Sequence, residues 1–390
     1  MIIVNFILIA ATLLLALPVS VLFVQVLAAI ILPKSKFTFQ PNVSRPTVAI
    51  LIPAHNESLV IAKTIQIILP QLKAQDQLLV VADNCTDDTT TIARHLGATV
   101  VERNNTTQRG KGYALDYGIQ YLHTKPPQVV LIVDADCSIS NQFVEVLAIS
   151  CAQLKRPVQA LDLMLSPPNP DLKMRIAEFA WLVKNKVRPL GFKALGLPCQ
   201  LMGTGMAFLW SDITQMNLAN GHIAEDMKLG IDFCRVNNAP VFIPNVLVTS
   251  LFPQGASAAN TQRARWEHGH IGMILSEAPS LILEAIKTKN LHMFGLACDL
   301  IVPPLAVLAL LCLAVFMLCL ISSSQLAILL SMALLIILTI AILFAWLVFG
   351  RQIISLKQLC FAPIYALVKI PLYIKFFFNR QVEWVRSKRD

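Results

Sequence analysis

Two long uncharged blocks constrain the fold of this 390-residue chain more than any other feature. Residues 1–32 and residues 300–350 contain no Asp, Glu, Lys or Arg, and the polar sequence ISSSQ at Ile321–Gln325 divides the second block. Because about 20 apolar residues in a helix cross a hydrocarbon core of about 30 Å, the first block can form one transmembrane span and the second can form two. We therefore predict three transmembrane helices, near residues 5–31, 296–320 and 326–349.

These spans divide the chain into four parts. The first block could also be a cleaved signal peptide, but its apolar run is too long and no basic segment precedes it. Pro18 and the pair Pro303–Pro304 fall inside predicted spans, where neighbouring helices can accommodate a kink. The predicted parts are an N-terminal transmembrane helix at 1–32, a soluble domain at 46–290, a membrane hairpin at 296–350 and a basic tail at 351–390.

Basic residues lie on one side of the predicted spans. The N-terminus and the Ile321–Gln325 loop carry none. Because Lys and Arg next to a span favour the cytosol, we predict a multi-pass protein of the cell (inner or plasma) membrane, with its N-terminus outside and its soluble domain and tail in the cytosol. The flanking residues are Lys34 and Lys36 after the first span, Lys287 and Lys289 before the second, and Arg351 and Lys357 after the third.

The formal net charge of +9 at pH 7 is concentrated in the tail. Residues 33–299 hold 24 basic and 21 acidic residues, whereas residues 351–390 hold eight basic and two acidic ones. A basic nucleic-acid-binding domain is therefore excluded as the source of the charge, and no nucleic-acid partner is expected. The tail alternates apolar runs with Lys369, Lys375 and Arg380, which favours an interfacial segment bound to anionic lipid head groups. The alternative is a fourth span, which would place the basic end outside.

The soluble region alternates short β-rich apolar runs with helical patterns from Pro46 onward. Such alternation predicts βαβ units and a mostly parallel sheet, in which ligands bind at the carboxyl ends of the strands. Gly97 is placed to end the second helix. The predicted strands are Val48–Ile52, Gln77–Ala82, Ala98–Val101 and Val129–Val133, and the predicted helices are 58–73, 87–96 and 111–123.

Acidic and polar clusters follow three of these strands. They are PAHNE at Pro53–Glu57, DNCTDDT at Asp83–Thr89 and DADC at Asp134–Cys137. A cluster such as DDT could simply begin a helix, since acidic residues favour helix N-termini. Together, at one edge of a parallel sheet and beside the basic loop RGKG at Arg109–Gly112, the clusters are typical of a site where a divalent cation bridges a diphosphate. Carboxylate ligands select Mg²⁺ or Mn²⁺.

Several other kinds of site are excluded by the sequence. There is no GxxxxGK[ST] motif and hence no P-loop, and GKGYAL and GTGMAF both lack the third glycine of a dinucleotide-binding GxGxxG. The nine cysteines are scattered, with no CxxC pair, so neither a zinc site nor a disulfide framework is indicated. A transporter is disfavoured because the predicted spans contain no ionisable residue except Asp299 near an end.

An ordered set of motifs resembles the family 2 glycosyltransferases, the membrane-associated inverting group that includes the cellulose, hyaluronan and poly-N-acetylglucosamine synthases. Besides the clusters above, the set includes GTG at Gly203–Gly205, ED at Glu225–Asp226 and QRARW at Gln262–Trp266, which matches the family's Q-x-x-R-W signature. The resemblance covers about residues 46–290 and the flanking spans. It implies the α/β glycosyltransferase A fold, in which a Rossmann-like nucleotide-binding half is joined to an acceptor half.

The resemblance also implies a role for each motif residue. Asp226 would be the general base, and Asp136 would bind a divalent metal most directly, with Asp134 beside it and nearer the ribose. Asp83 would bind the nucleobase, most often uracil. Glu225–Asp226 could also simply begin a helix, and Trp266 could be an aromatic residue at the membrane interface. The nucleotide-sugar residues would be Pro53, Ala54, Asn56, Glu57, Asp83, Lys111 and Asp134, and the acceptor and diphosphate residues would be Gly203, Thr204, Gly205, Glu225, Gln262, Arg265 and Trp266.

These roles imply the inverting transfer of a hexosyl or N-acetylhexosaminyl group from a nucleotide-diphosphate sugar, expected to be UDP-linked, to a lipid-linked or polysaccharide acceptor. One base would remove the acceptor proton, and cations would stabilise the departing diphosphate. The expected partners besides donor and acceptor are membrane lipids and polysaccharide-assembly proteins. One alternative is a processive polysaccharide synthase, for which three spans are few. Another is a catalytically silent nucleotide-binding subunit of a polysaccharide-export complex.

Overall fold

The apolar runs of the soluble region pair into one eight-stranded sheet in the computed structural model, which describes residues 2–32, 44–253, 255–322 and 324–378. The strands are β1 (Val48–Ala54), β2 (Gln77–Asp83), β3 (Thr99–Arg103), β4 (Val129–Ile132), β5 (Ser138–Ile139), β6 (Val158–Leu165), β7 (Met206–Leu209) and β8 (Val241–Leu251). Their order across the sheet is β3-β2-β1-β4-β7-β6-β8-β5. β7 runs antiparallel to both of its neighbours, β4 and β6.

The four predicted strands are confirmed, each within two residues. β1 is parallel to β2 and to β4, and β2 is parallel to β3. Residues 48–52 are fully buried, as expected for a parallel strand with both faces covered. The parallel pairing brings the carboxyl ends of β1, β2 and β4 to one edge of the sheet, where the three polar clusters begin.

Helices cover the sheet and form the membrane region. They are α1 (Ile2–Ile31), α2 (Ile61–Ile68), α3 (Thr89–His95), α4 (Lys111–Leu122), α5 (Phe143–Leu154), α6 (Leu172–Leu182), α7 (Arg188–Ala194), α8 (Trp210–Ile213), α9 (Glu225–Arg235), α10 (Ala256–Ser276), α11 (Ala278–Thr288), α12 (Leu291–Leu300), α13 (Leu305–Ser322), α14 (Gln325–Ala345), α15 (Leu356–Leu359), α16 (Ala362–Val368) and α17 (Ile370–Phe378).

The ends of α2 and α3 can be compared with the helix ends predicted from the sequence. The predicted helix at 58–73 is too long: α2 ends at Ile68 and continues only as a 3₁₀ turn at Leu69–Gln71. Pro70 lies in that turn, and proline has no amide hydrogen with which to extend an α-helix. Gly97, with φ +90°, follows α3 and confirms the predicted end of the second helix.

Four helical segments of the described chain are long and apolar enough to cross a membrane. Three of them, α1, α13 and α14 with the π-helical turn Trp346–Gly350, correspond to the predicted spans. The predicted start of the second span at residue 296 is wrong, because α12 ends at Leu300 and α13 begins at Leu305. Pro303 and Pro304 lie between the two helices, whereas Pro18 lies inside α1, as predicted.

The fourth such segment, Leu356–Phe376, lies in the tail. It consists of α15, α16 and α17 in succession, and an interfacial segment was predicted here in preference to a span. Its length and composition are those of a possible span, so the placement of the tail at the interface stays a prediction. Lys34, Lys36 and Arg380, on which the predicted orientation and tail also rest, lie outside the described residues.

The first span is joined to the soluble domain through a buried polar contact. Gln25 of α1 donates from Nε2 to Oδ1 of Asp299 at 2.6 Å, and Arg188 of α7 pairs with the same carboxylate oxygen at 2.9 Å. A Cβ at Gly191 would lie only 1.9 Å from the carbonyl oxygen of Gln25. α1 and α7 therefore pack at backbone distance, and this packing fixes the position of the sheet relative to the spans.

Candidate active site

A cleft of about 130 Å³ opens at the carboxyl ends of β1, β2 and β4. This is the edge at which parallel strands place ligands. The predicted site residues that line the cleft are Pro53, Ala54, Glu57, Asp83, Lys111, Asp134, Asp136, Gln262 and Arg265. Residues that line it but were not predicted include His55, Asn84, Arg109 and Ala135.

The loops after β1 and β2 are bonded to each other and form one wall. The backbone N–H of Thr86 donates to Oδ1 of Asn56 at 2.6 Å, and the N–H of Glu57 donates to Oγ1 of Thr89 at 2.7 Å. Asn56 adopts a left-handed conformation with φ +56°. Asn56 thus connects the two loops instead of lining the cleft, whereas Glu57 lies at the surface of the cleft.

Asp83 lies at the end of β2 and is buried. Its Oδ1 pairs with Nη1 of Arg103 at 2.7 Å, and both side chains are about nine-tenths buried. Arg103 also donates to the carbonyl oxygen of Gln108, in the loop that leads to α4. Arg103 was not predicted, although it ends β3 and the rule applied to the other strand ends also holds there. The carboxylate of Asp83 is thus oriented by an arginine.

Lys111 links the acidic groups of the site. At the first position of α4, its Nζ donates to Oδ1 of Asp134 and, at 2.9 Å, to the carbonyl oxygen of Gly203. Burial alone would lower the pKa of Lys111, but the charges of Asp134, Glu225 and Asp226 raise it above its ordinary value. Lys111 therefore stays protonated and connects the cleft to the second pair of carboxylates.

That second pair, Glu225 and Asp226, forms the first turn of α9. Both carboxylates line a small pocket with Lys111 beside the main cleft. Burial, followed by the charge of Asp226, raises the pKa of Glu225 to about 7. Burial also raises the pKa of Asp226, while the positive charges of Lys111 and Lys184 oppose the rise. A partly buried carboxylate with a raised pKa at the start of a helix can accept a proton near neutral pH.

The three residues of GTG lie behind the acidic groups. Thr204 accepts a hydrogen bond on Oγ1 from the N–H of Asp134 at 3.1 Å, and Gly205, with φ +66°, is bonded into the sheet next to β4 and β6. Gly203, with φ +91°, faces the carboxylates, because a Cβ there would lie 3.4 Å from Oδ2 of Asp226. Gly203 therefore lies beside Asp226, whereas Thr204 supports Asp134 and Gly205 belongs to the sheet.

The QRARW residues are divided between two neighbouring cavities along α10. Gln262 and Arg265 line the cleft beside Asp134 and Asp136. Trp266 instead packs against Trp181, with ring centroids 4.8 Å apart, and lines an adjoining apolar cavity that Gln262 also borders. The next residue, Glu267, forms an ion pair with Lys369 of the tail. This pair joins α10 to the tail next to the cleft. The Nε2 atom of His268 is in hydrogen-bond contact with the carbonyl oxygen of Leu372, also in the tail.

Asp134 and Asp136 fit a divalent metal by the chemistry of their donors. Both reach the cleft, and together they offer the one or two carboxylates with which Mg²⁺ or Mn²⁺ sites accompany phosphate oxygens. Within the described residues, no group of three or more His, Cys, Asp or Glu side chains is arranged to hold a metal alone. The remaining ligands of such a metal would therefore come from a diphosphate and water.

Comparisons with known proteins agree with this geometry. A family model described as "Glycosyltransferase like family 2" matches residues 46–269. The structure of mannosyltransferase PcManGT from Pyrobaculum calidifontis, in complex with GDP-Man and Mn²⁺, is similar over 94% of this chain and 98% of its own, with a TM-score of 0.56 and 17% identity. That likeness shows a shared glycosyltransferase A fold.

Glucosyl-3-phosphoglycerate synthase from Mycobacterium tuberculosis, in complex with Mn²⁺, UDP and glucosyl-3-phosphoglycerate, is 24% identical over 55% of this chain and 79% of its own. Its TM-score is 0.37. No curated protein matches the chain by sequence.

Proposed function

Because the chain belongs to the glycosyltransferase like family 2, we propose that it transfers a sugar, with inversion, from a nucleotide-diphosphate sugar to an acceptor at the cytosolic face of the membrane. The transferred group would be a hexosyl or N-acetylhexosaminyl unit. The acceptor would be a lipid-linked or polysaccharide molecule, since the cleft lies beside helices with the length and composition of membrane spans.

The position of Lys111 carries this proposal. It contacts Asp134 in the cleft and lies within the field of Asp226 at the start of α9. A sugar transferase needs a donor diphosphate and an acceptor base on opposite sides of one anomeric carbon. The side chain of Lys111 would lie between the donor diphosphate and the base. Its positive charge can therefore stabilise the leaving diphosphate and also interact with the carboxylate of the base.

The chemistry can be assigned to the side chains of this site. Asp226 would remove the proton of the acceptor hydroxyl, and its raised pKa suits a base that works near neutral pH. Lys111 and Arg265 would stabilise the charge on the departing diphosphate, and the planar guanidinium of Arg265 can pair with two phosphate oxygens. Asp136 and Asp134 would hold a divalent cation, which when bound supplies further charge stabilisation to the diphosphate.

The nucleobase is expected at Asp83 and the loop after β1. Arg103 fixes the Asp83 carboxylate, which can still accept a hydrogen bond from an imide or amide N–H of a base. A uridine nucleotide fits the family resemblance, whereas the mannosyltransferase with the same fold was solved with GDP-Man. The donor panel should therefore contain both UDP-sugars and GDP-sugars.

The test is nucleotide release by the purified full-length protein from each sugar of that panel, with and without EDTA. We expect one donor class to be turned over and the chelator to abolish the signal. Asp226→Asn should reduce transfer by about 10²- to 10⁴-fold while leaving donor binding intact. Full transfer activity in Asp226→Asn would refute the assignment of the base, and failure to release any nucleotide would refute the proposed function.

Asp232→Asn is the matched control, since Asp232 lies on the same helix, α9, in an ion pair with Lys228. It should keep the wild-type rate. A rate loss equal to that of Asp226→Asn would show that any charge change on α9 is damaging.

A processive polysaccharide synthase is the second candidate. The observation that favours it is the fourth apolar segment, Leu356–Phe376, because a channel for a polymer needs more helices than three. Product length separates the two candidates: a single transfer adds one sugar to each acceptor, and a synthase gives a ladder of chain lengths.

A further inference from the structure

A second cavity lies between the soluble domain and the membrane helices. It has a volume of about 360 Å³, within the range of ligand pockets, and its walls are mostly apolar. α6, α10, α13, α14 and the tail all contribute to it. Representative wall residues are Trp181, Phe252, Trp266, Leu305, Ile342 and Leu359.

This cavity adjoins the candidate active site. Gln262 of α10 lines both the donor cleft and the apolar cavity. Since Trp266 is one helical turn further along α10, the two QRARW residues lie on the same side of the helix and continue from the donor cleft into the cavity. A molecule in the cavity would therefore meet the donor site at Gln262.

Lys184 brings a positive charge to this junction. It belongs to the π-helical turn Val183–Val187, a kind of irregular turn that is frequent at functional sites. Its side chain lines the cavity, and its Nζ lies 5.2 Å from the centre of the Trp181 ring. Burial lowers the pKa of Lys184, and Asp226 is the charge that most opposes this. Lys184 also lines a smaller pocket with Met227, the residue that follows Asp226, so it lies between the apolar cavity and the start of α9.

Four Lys and Arg side chains line the cavity, and two of them are paired with carboxylates. Arg188 is paired with Asp299, and Lys369 is paired with Glu267. Throughout the described ranges, Lys184 and Arg263 have neither a hydrogen bond nor an ion pair, and both line the cavity. The contact of Lys184 is with the face of the Trp181 ring rather than with a carboxylate, so this part of the wall is complementary to an anion.

We propose that the apolar cavity holds the hydrocarbon chain of a membrane-lipid acceptor, and that Lys184 binds an anionic phosphate of its head group beside Asp226. This inference rests on the proposed transferase function and names the class of its acceptor. A neutral polysaccharide is disfavoured, because its hydroxyl groups would need hydrogen-bond partners that an apolar wall does not provide. The cation and the apolar wall together match an amphiphile with a charged head.

The test compares dodecyl phosphate with dodecanol, which share a hydrocarbon chain and differ in the phosphate. Binding is measured by thermal shift on the full-length protein in phosphatidylcholine nanodiscs, and binding of the donor nucleotide is measured on the same samples. We expect dodecyl phosphate to bind at least about tenfold more tightly, as for a charge-assisted contact. Equal binding of the two probes, with normal nucleotide binding, would overturn this inference and leave the transferase proposal intact. Absence of nucleotide binding would instead count against the transferase proposal.

Variants of the π-helical turn locate the contact. Lys184→Met should remove most of the preference for dodecyl phosphate over dodecanol, whereas Lys184→Arg should keep it. Lys186→Met is the matched control: Lys186 lies two residues further on the same turn, with its Nζ 6.0 Å from the ring centre of Phe349, and is not a wall residue of the cavity. An equal loss in Lys184→Met and Lys186→Met would refute the role of Lys184.

A cavity-filling variant tests the hydrocarbon part separately. Ala309 of α13 lines the cavity, so Ala309→Trp should weaken both dodecyl probes and leave nucleotide binding unchanged. If dodecyl phosphate binds Ala309→Trp as tightly as the wild type, the hydrocarbon chain lies elsewhere. If a neutral glucan oligosaccharide shifted the melting temperature and dodecyl phosphate did not, the cavity would be assigned to a polysaccharide. That result would overturn the inference.

Discussion

The contact among Gln25, Arg188 and Asp299 allows a quantitative prediction of how firmly the first span is joined to the soluble domain. Arg188 donates from Nη2 to Oδ1 of Asp299 at 2.9 Å and to its carbonyl oxygen at 2.6 Å, and the two side chains are 6% and 11% exposed. Asp299→Asn keeps the size of the side chain but leaves the arginine charge buried and uncompensated. Removing one partner of a buried pair costs about 3–5 kcal/mol.

The assay is thermal unfolding of the full-length protein in detergent, followed by intrinsic tryptophan fluorescence. A loss of this size should lower the melting temperature by about 6–20 °C, since one kcal/mol corresponds to about 2–4 °C in a domain of 150–250 residues. The double variant Arg188→Met/Asp299→Leu should be destabilised less than the sum of its single variants, because it removes both charges.

Arg94 and Glu102 provide the control, since their atoms are 2.7 Å apart but their side chains are 53% and 47% exposed. Glu102→Gln should cost about 1 kcal/mol or less, as exposed ion pairs do. Equal destabilisation in Glu102→Gln and Asp299→Asn would refute the reasoning, because burial is the main difference between the two pairs.

Three further predictions concern the site and its support. Lys111→Met should move the acid limb of the pH–rate profile to higher pH, because Lys111 lowers the pKa of Asp226 and the base must be ionised; an unmoved limb would contradict this. Gly191→Ala should cost about 3 kcal/mol in thermal unfolding, because its Cβ would lie 1.9 Å from a carbonyl oxygen of α1, and an unchanged melting temperature would exclude that packing. Asp136→Asn should raise the Mn²⁺ concentration needed for half-maximal nucleotide release, and a wild-type requirement would place the metal elsewhere.

Much of the sheet and its polar edge follows from the sequence, because parallel strands are apolar and end together. The clusters after β1, β2 and β4 therefore meet in space as predicted. Arg103 was missed at the end of β3, where the same rule holds but the residue is basic rather than acidic. The start of α13 was misplaced because an apolar composition continues through Pro303 and Pro304, although the helix does not.

Other parts of the site depend on rotation and packing that the sequence does not show. Arg265 and Trp266 are consecutive, and consecutive helical residues point about 100° apart, so one reaches the donor cleft and the other the apolar cavity. Lys184 was not predicted, because nothing in the letters VKNKV distinguishes a π-helical turn from an α-helix. Its position in one pocket with Met227 of α9 results from tertiary packing between segments far apart in the chain.

The ion pair between Glu267 and Lys369 has a consequence for the order in which the protein is made. The two residues are 102 positions apart, so α10 leaves the ribosome well before the tail that holds it. Until α16 and α17 have been synthesised and docked, the Gln262 and Arg265 edge of the cleft lacks its last contact. This edge of the cleft is thus completed by α16 and α17, and a truncated or incompletely inserted copy would have the sheet without that contact.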